Sequence, residues 1–414
     1  MSLPPPHRPF GIKALNALGA GLRGIGWNPP SLEPSKLIDA AVRRAGSNDF
    51  GGEEFREGLE VFVESVEREG ELSTLGRISC RETLLRYLTN RLRLQEYRAA
   101  HPEVSDEVIE RPVFIIGLPR TGTTILFNLL AQDPGNRAPL SWEVEWPVPP
   151  PEAESYHDDP RIKDAQKLFG NLDRVIPTLP SIHEFGALLP QECVPINAHE
   201  LLTVQFNVTF HVPSYQAWLN QQNLLRSYQF HKRFLQHLQS KYALDRWVLK
   251  SPAHLPAIDE LLAVYPDALI IHTHRDPAPV MASLSSLHYA FRCMSSDAVD
   301  PARIGRNVLD VWSLYLQRAV DARRKHRDKP GQFFDAHFED TLRDPVDLLR
   351  RAYGHFGLEF TGAARERMAT FLAAHPRGSR GVHRYTPEDF ELDLAEIRER
   401  FADYCSEFDV SLSA

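Results

Sequence analysis

Residues 116–125 read Ile-Gly-Leu-Pro-Arg-Thr-Gly-Thr-Thr-Ile, a glycine-punctuated run with one cation, Arg120, and three hydroxyls. Gly117 and Gly122 are spaced as in the Walker A loop, where bare backbone N–H groups approach an anion seated on a helix N-terminus. Thr124 fills the Ser/Thr slot of that pattern, but Thr123 stands where its lysine belongs. Without the lysine a nucleoside triphosphatase lacks its contact to the β- and γ-phosphates. The loop therefore suits a smaller or differently charged phosphoryl-type group. Two further clusters carry chemistry: Lys250-Ser-Pro-Ala-His254, and His274-Arg275-Asp276-Pro277. A lysine beside an anion site can stabilise charge developing on a leaving group. His254, near a helix start, is kept neutral by the helix dipole and able to accept a proton.

These residues need elements to hold them. Val113–Ile116 is a β-branched and aromatic run, and Thr123–Gln132 has apolar residues at helical spacing before Asp133-Pro134-Gly135 stops it. The loop thus joins a buried strand to a helix. Trp247–Leu249 and Ala268–His274 read as two more strands. Each runs into a Ser or Asp followed by Pro, the N-cap and N1 pairing of a helix start. Open parallel sheets bind ligands outside the carboxyl ends of their strands, and three such ends here carry a phosphate loop, a Lys with a His, and an Arg. The expected fold is an α/β parallel sheet flanked by helices.

Residues 1 to about 30 read as irregular, and Leu37 to about Arg98 as helical throughout. Within the latter, Phe55, Leu59, Phe62, Val63 and Val66 form one stripe with acids opposite, the pattern of a helix docked on a protein core. Residues 135–220 read as a loop-rich insertion, where binding function concentrates. With 414 residues, 43% hydrophobic, the chain can bury a large core, and its net charge of −8 argues against general nucleic-acid binding. Cys80, Cys193, Cys293 and Cys405 show no paired spacing, so neither a disulfide framework nor a zinc site is expected. The proline-rich start lacks a signal pattern and no apolar run reaches membrane-spanning length, which predicts a cytoplasmic enzyme. His183-Glu184 and His199-Glu200 lack the second His of zinc proteases, and Met281 replaces the Asn of a kinase catalytic loop.

Together these motifs resemble the sulfotransferases that use 3′-phosphoadenosine 5′-phosphosulfate (PAPS), in particular their bacterial branch with a helical N-terminal extension. The resemblance runs from about Leu37 to Tyr404. It implies a helical extension at 1–105 and a transferase domain at 106–414, with 135–220 as the substrate insertion and 361–414 as a closing segment. It implies that Pro119, Arg120, Thr121, Gly122, Thr123 and Thr124 hold the 5′-phosphosulfate. Arg275 and Ser283, eight positions apart, would hold the 3′-phosphate, and Phe338 of Phe-Glu-Asp would stack on the adenine. Arg377 and Arg380 fall in a late basic loop that would close over the 3′-phosphate. The Lys-Ser-Pro-Ala-His-Leu-Pro run resembles the family's Lys-Thr-His-Leu-Pro, with His254 as general base and Arg120 and Lys250 as charge stabilisers. Glu192 is the alternative base. The implied donor is PAPS, with no metal. The implied partner is a small hydroxyl or amine acceptor, an apolar, lipid-like or aromatic alcohol, bound by aromatics including Trp142, Trp146, Phe206, Phe210, Tyr215 and Trp218. A P-loop phosphotransferase and a non-catalytic nucleotide-binding protein are the rival classes.

Overall fold

Five parallel strands form the centre of the computed structural model, which describes residues 8–175, 185–376 and 385–412. They are β1 (Val113–Gly117), β2 (Asn136–Arg137), β3 (Arg246–Lys250), β4 (Leu269–His274) and β5 (Phe333–His337), in the order β2-β3-β1-β4-β5. All five residues of the central strand β1 are buried, as a strand covered on both faces requires. Its alternation divides the core. Phe114 and Ile116 join Leu249 and Ile270 on one face, while Val113 and Ile115 join Val248, Ile271 and Phe127 on the other. Ile115 pairs with both Lys250 and Ile271, and Gly117 with Thr273. The carboxyl ends of β1, β3 and β4 therefore finish side by side.

The helical extension comprises α1 (Phe10–Gly24), α2 (Pro34–Ala45), α3 (Phe55–Glu69) and α4 (Thr74–Ala100). The helix α1 corrects the reading of residues 1 to about 30 as irregular. Its four internal and terminal glycines and lack of a side-chain cap give a poor intrinsic helix, so tertiary contact decides. Asn16 Oδ1 accepts the Leu75 N–H at 3.1 Å, and a Cβ on Gly19 would lie 1.8 Å from Thr74 Oγ1. The run read as continuously helical is interrupted twice, by Gly46 in the left-handed conformation (φ 77°) and by the Gly70–Glu71 turn, with Glu71 at φ 43°.

The α3 stripe docks as its spacing predicts. Phe55, Leu59, Phe62, Val63 and Val66 are all buried in one cluster with Leu201, Phe206, Phe210 and Tyr215 of the insertion. Phe62 stacks on Phe206 at 4.1 Å between ring centroids and meets Tyr215 edge-on at 5.5 Å. Phe62→Ala removes the shared ring of this cluster and is expected to cost about 3–5 kcal/mol of stability, read as a lowered urea midpoint. The insertion itself is less irregular than its sequence suggests. It holds α5's successor strand β2 at its start, a helix at Ser141–Glu145, α6 (Arg161–Val175) and short helical turns at Val194–Asn197, Gln205–Thr209 and Pro213–Leu219, α5 being Thr123–Leu130. Its first part is pinned by a buried ion pair, Arg137 Nη2 to Glu143 Oε2 at 2.7 Å, with the Tyr156 hydroxyl donating to the same carboxylate at 2.9 Å. No helix among the described residues is long and apolar enough to cross a membrane.

Candidate active site

The loop after β1 is built by close approach. Gly117 has φ 139°, and a Cβ there would sit 2.1 Å from Thr273 Oγ1, so any side chain would push β1 and β4 apart. Arg120 (φ 68°) and Gly122 (φ 90°) are both left-handed, which turns the chain sharply into α5. The first N–H groups of a helix have no intrahelical partner, and here they belong to the turn that carries Arg120. Thr121 works inward. Its hydroxyl donates to the Leu118 carbonyl at 2.6 Å and lies 2.6 Å from Thr273 Oγ1. Pro119, Arg120, Gly122, Thr123 and Thr124 line a cavity; Thr121 does not.

Lys250 ends β3 with its side chain almost fully buried. Its Nζ lies 2.5 Å from Glu192 Oε1 and 3.4 Å from Thr124 Oγ1. One backbone bond explains the meeting: the Cys193 N–H donates to the Lys250 carbonyl at 2.9 Å. That bond ties the end of the insertion loop to the end of β3 and sets Glu192 beside the lysine.

Arg275 follows β4. It donates from Nη1 to the Arg120 carbonyl at 2.6 Å, and its guanidinium lies over the Phe338 ring, 4.0 Å from the centroid. Burial first, and then the neighbouring Arg120 charge, lowers the Arg275 pKa. Arg120 and Arg275 both line the cavity, so the two cations are available to one bound anion. Asp276 caps the next helix, α7 (Pro277–Ser295), by accepting the Ala278 N–H at 3.0 Å. Ser283 sits on the α7 face that lines the same cavity.

That cavity has a volume of about 680 Å³. The loop, Glu192, Arg275, Ser283 and Phe338 form one part of it. The remaining walls are largely apolar: Leu168, Phe169 and Leu172 of α6, Phe185 and Phe210 of the insertion, and Leu284, Leu287, Phe291 and Met294 of α7. On α4, Leu75, Ser79, Glu82, Thr83 and Arg86 also line it.

Residues 112–362 match the sequence profile described as the sulfotransferase family. The chain belongs to that family. It is 30% identical over 292 residues, 66% of this chain and 69% of the relative, to the Omega-hydroxy-beta-dihydromenaquinone-9 sulfotransferase Stf3 of Mycobacterium bovis. Among solved structures, sulfotransferase STF1 of Mycobacterium tuberculosis H37Rv superposes with a TM-score of 0.80 at 35% identity, covering 89% of this chain and 98% of that one. Sulfotransferase STF9 of Mycobacterium avium gives 0.83 at 30% identity, covering 91% and 97%. This chain is accordingly an enzyme, a sulfotransferase with the α/β sheet its sequence predicts.

In this sulfotransferase His254 does not reach the cavity. It lies in the short helical turn Pro252–Ala257, wholly buried, with Nδ1 2.7 Å from the Tyr228 hydroxyl and its ring edge-on to Phe114 at 5.1 Å. Burial, more than the nearby His231, pushes its pKa well below the ordinary value. Of the two candidate bases, the fold brings only Glu192 to Lys250 and the loop. His183, Glu184, Arg377 and Arg380 lie outside the described residues.

The aromatic residues expected around the acceptor are mostly core. Of the six, Phe210 lines the cavity; Trp142, Phe206 and Tyr215 are fully buried in hydrophobic clusters, and Trp146 and Trp218 pack against those clusters. The lining rings are instead Phe169, Phe185, Phe291, Phe338 and Trp312 beside Phe210. Sequence reasoning also missed His288. It lines the cavity on α7, and neither ring nitrogen has a hydrogen-bond partner among the described residues. Burial, and then the Arg292 charge, pushes its pKa well below the ordinary value. The signal was available, since Ser283, Leu284, Leu287, His288 and Phe291 share one helical face. A second histidine group joins His272 and His274 of β4 with Asp335 of the neighbouring β5. Its carboxylate is already engaged by Arg323 at 2.7 and 2.9 Å and by His274 Nε2 at 2.9 Å.

Proposed function

We propose that this sulfotransferase moves the sulfuryl group of PAPS to the hydroxyl of a small apolar, lipid-like acceptor. One observation carries the reading: a single cavity joins an anion loop flanked by Arg120 and Arg275 to apolar walls, with Glu192, held by the buried Lys250 ammonium, among its lining residues. In this reading the loop and Arg120 bind the 5′-phosphosulfate, and Arg275 with Ser283 binds the 3′-phosphate. Phe338 gives one ring face to Arg275 and so fixes its direction; the other face is left for the adenine. Glu192 takes the acceptor proton. The acceptor oxygen forms a bond to sulfur as the bond from sulfur to the bridging oxygen breaks, and the electron pair leaves with adenosine 3′,5′-bisphosphate. Lys250, Arg120 and the loop N–H groups stabilise the charge on that bridging oxygen.

The division into a helical extension (1–105) and a transferase domain (106–414) belongs to the same proposal. Its support is that α2–α4 share a hydrophobic cluster with residues 198–219, so extension and insertion together build the acceptor walls. The closing role of 361–414 finds support in Tyr404, whose phenol oxygen accepts the Arg275 N–H at 3.4 Å. A ligand specific for the native state raises apparent stability, by about 2.7 kcal/mol at a hundredfold excess over Kd. Adenosine 3′,5′-bisphosphate is expected to raise the thermal midpoint more than adenosine 5′-phosphate or ATP with Mg²⁺. A larger shift with ATP and Mg²⁺ would replace this reading with a phosphotransferase.

A further inference from the structure

We propose that α1 and the turn that follows it form a membrane-docking element that seats this enzyme on an anionic lipid surface. The proposal rests on the apolar-acceptor reading only for its purpose; the docking itself is independent of the donor.

The argument starts from side chains on the wrong side of a helix. At about 100° per residue, Phe10, Ala14, Leu18, Gly21 and Ile25 fall within one narrow arc of α1 and its C-cap. Asn16 and Gly19, the buried residues of α1, lie on the opposite face, against α4. A surface helix normally turns its apolar stripe inward. Here Phe10 is 86% exposed, Leu18 66%, Ile25 77% and, just beyond, Trp27 60%. These are the largest exposures among the large hydrophobic residues, save Val108 at 67%, and they gather on one element. Phe10 opens the stripe, and Trp27 follows it just beyond α1, with an indole that suits the level of lipid headgroups.

Charge selects the occupant. The chain has 55 acidic residues and a net charge of −8, yet its first acid is Glu33. Everything before it carries only cations: Arg8, Lys13 and Arg23. Lys13 is exposed at the border of the stripe, while Arg8 is paired with Asp297 at 2.6 Å and Arg23 donates to Thr74 Oγ1 at 3.3 Å. An acid-free apolar stripe with a flanking lysine on an otherwise acidic protein suits an anionic leaflet, where apolar burial and attraction to headgroups add.

Position gives the docking its use. The hydrogen bond from Leu75 N–H to Asn16 Oδ1 joins α1 to a residue that lines the cavity, and the next lining residues on α4, Ser79 and Glu82, are exposed. The cavity thus opens about one turn along α4 from the α1 contact. An enzyme seated on its apolar stripe would have that opening near the bilayer, where an apolar alcohol resides.

Co-sedimentation of the full chain with vesicles of phosphatidylcholine and phosphatidylglycerol (7:3), without donor, tests this. The wild type is expected to sediment with them and only weakly with pure phosphatidylcholine. A Phe10→Ser, Leu18→Ser, Ile25→Ser, Trp27→Ser variant is expected to bind at least tenfold more weakly at an unchanged thermal midpoint, and Lys13→Glu to weaken binding to the anionic vesicles. Wild-type sedimentation no greater than with pure phosphatidylcholine, or equal binding by the fourfold variant, would overturn the proposal. So would a wild-type dimer in analytical ultracentrifugation that the fourfold variant dissociates, which would assign the stripe to a second copy. Failure here leaves the nucleotide thermal shifts untouched, so the two readings fall separately.

Discussion

Replacing Glu192 with glutamine is expected to lower kcat by about 10²–10⁴-fold, the usual contribution of a positioned general base, while adenosine 3′,5′-bisphosphate keeps nearly its full affinity. Glu192 lines the cavity, and its Oε1 lies 2.5 Å from Lys250 Nζ. Glutamine keeps the size and can still accept from the lysine, but it also removes the counter-charge of the buried ammonium, so activity is read per folded molecule. The contrasting variant is His254→Ala. His254 is wholly buried, its Nδ1 2.7 Å from the Tyr228 hydroxyl, and it is absent from the cavity lining. Its loss is expected to lower the thermal midpoint and leave kcat per folded molecule within a few-fold of wild type. Steady-state kinetics on both variants, normalised to the folded fraction, decide the matter. Full activity in Glu192→Gln with none in folded His254→Ala would return the base to the histidine.

The two outcomes for His254 and Glu192 show where sequence stops being informative. Gly117 and Gly122 were legible because a positive φ at each, 139° and 90°, leaves a local mark on residue type at fixed spacing. Asp276-Pro277 was legible for the same reason, a cap read from two adjacent residues. Lys250 and Arg275 followed from strand ends, since a parallel sheet fixes where those ends go. His254 is only four residues past Lys250, but the turn Pro252–Ala257 directs its ring into the core beneath β1. Nothing in its spacing distinguishes that from a ring directed at the ligand. Glu192 reaches the site through a single long-range backbone bond, Cys193 to Lys250, which no local pattern encodes. The acceptor walls come from α4, α6 and α7, segments about a hundred residues apart, and so the choice of Trp142, Phe206 and Tyr215 as pocket residues found core instead. In α1 the failure was of another kind, because a glycine-rich stretch became helical through its packing on α4.

Arg275→Ala carries the other large expectation. Hydrogen bonds to charged groups contribute about 1.5–3 kcal/mol, so loss of a 3′-phosphate contact should weaken adenosine 3′,5′-bisphosphate by about 10- to 150-fold. The comparison that matters is with adenosine 5′-phosphate. Arg275 also donates to the Arg120 carbonyl at 2.6 Å, so truncation loosens the 5′ loop and lowers the affinity of both nucleotides by that amount. Only the excess loss for the bisphosphate reports a 3′ contact. Isothermal titration of both ligands to wild type and variant isolates it. Ser283→Ala should show a smaller excess, since a neutral hydroxyl contributes about 0.5–1.5 kcal/mol. Equal losses for the two nucleotides would mean that Arg275, stacked over Phe338 at 4.0 Å, serves as a brace for the loop. The 3′-phosphate would then have to be held elsewhere, and the distinction between a PAPS enzyme and a simpler nucleotide binder would lose its main residue.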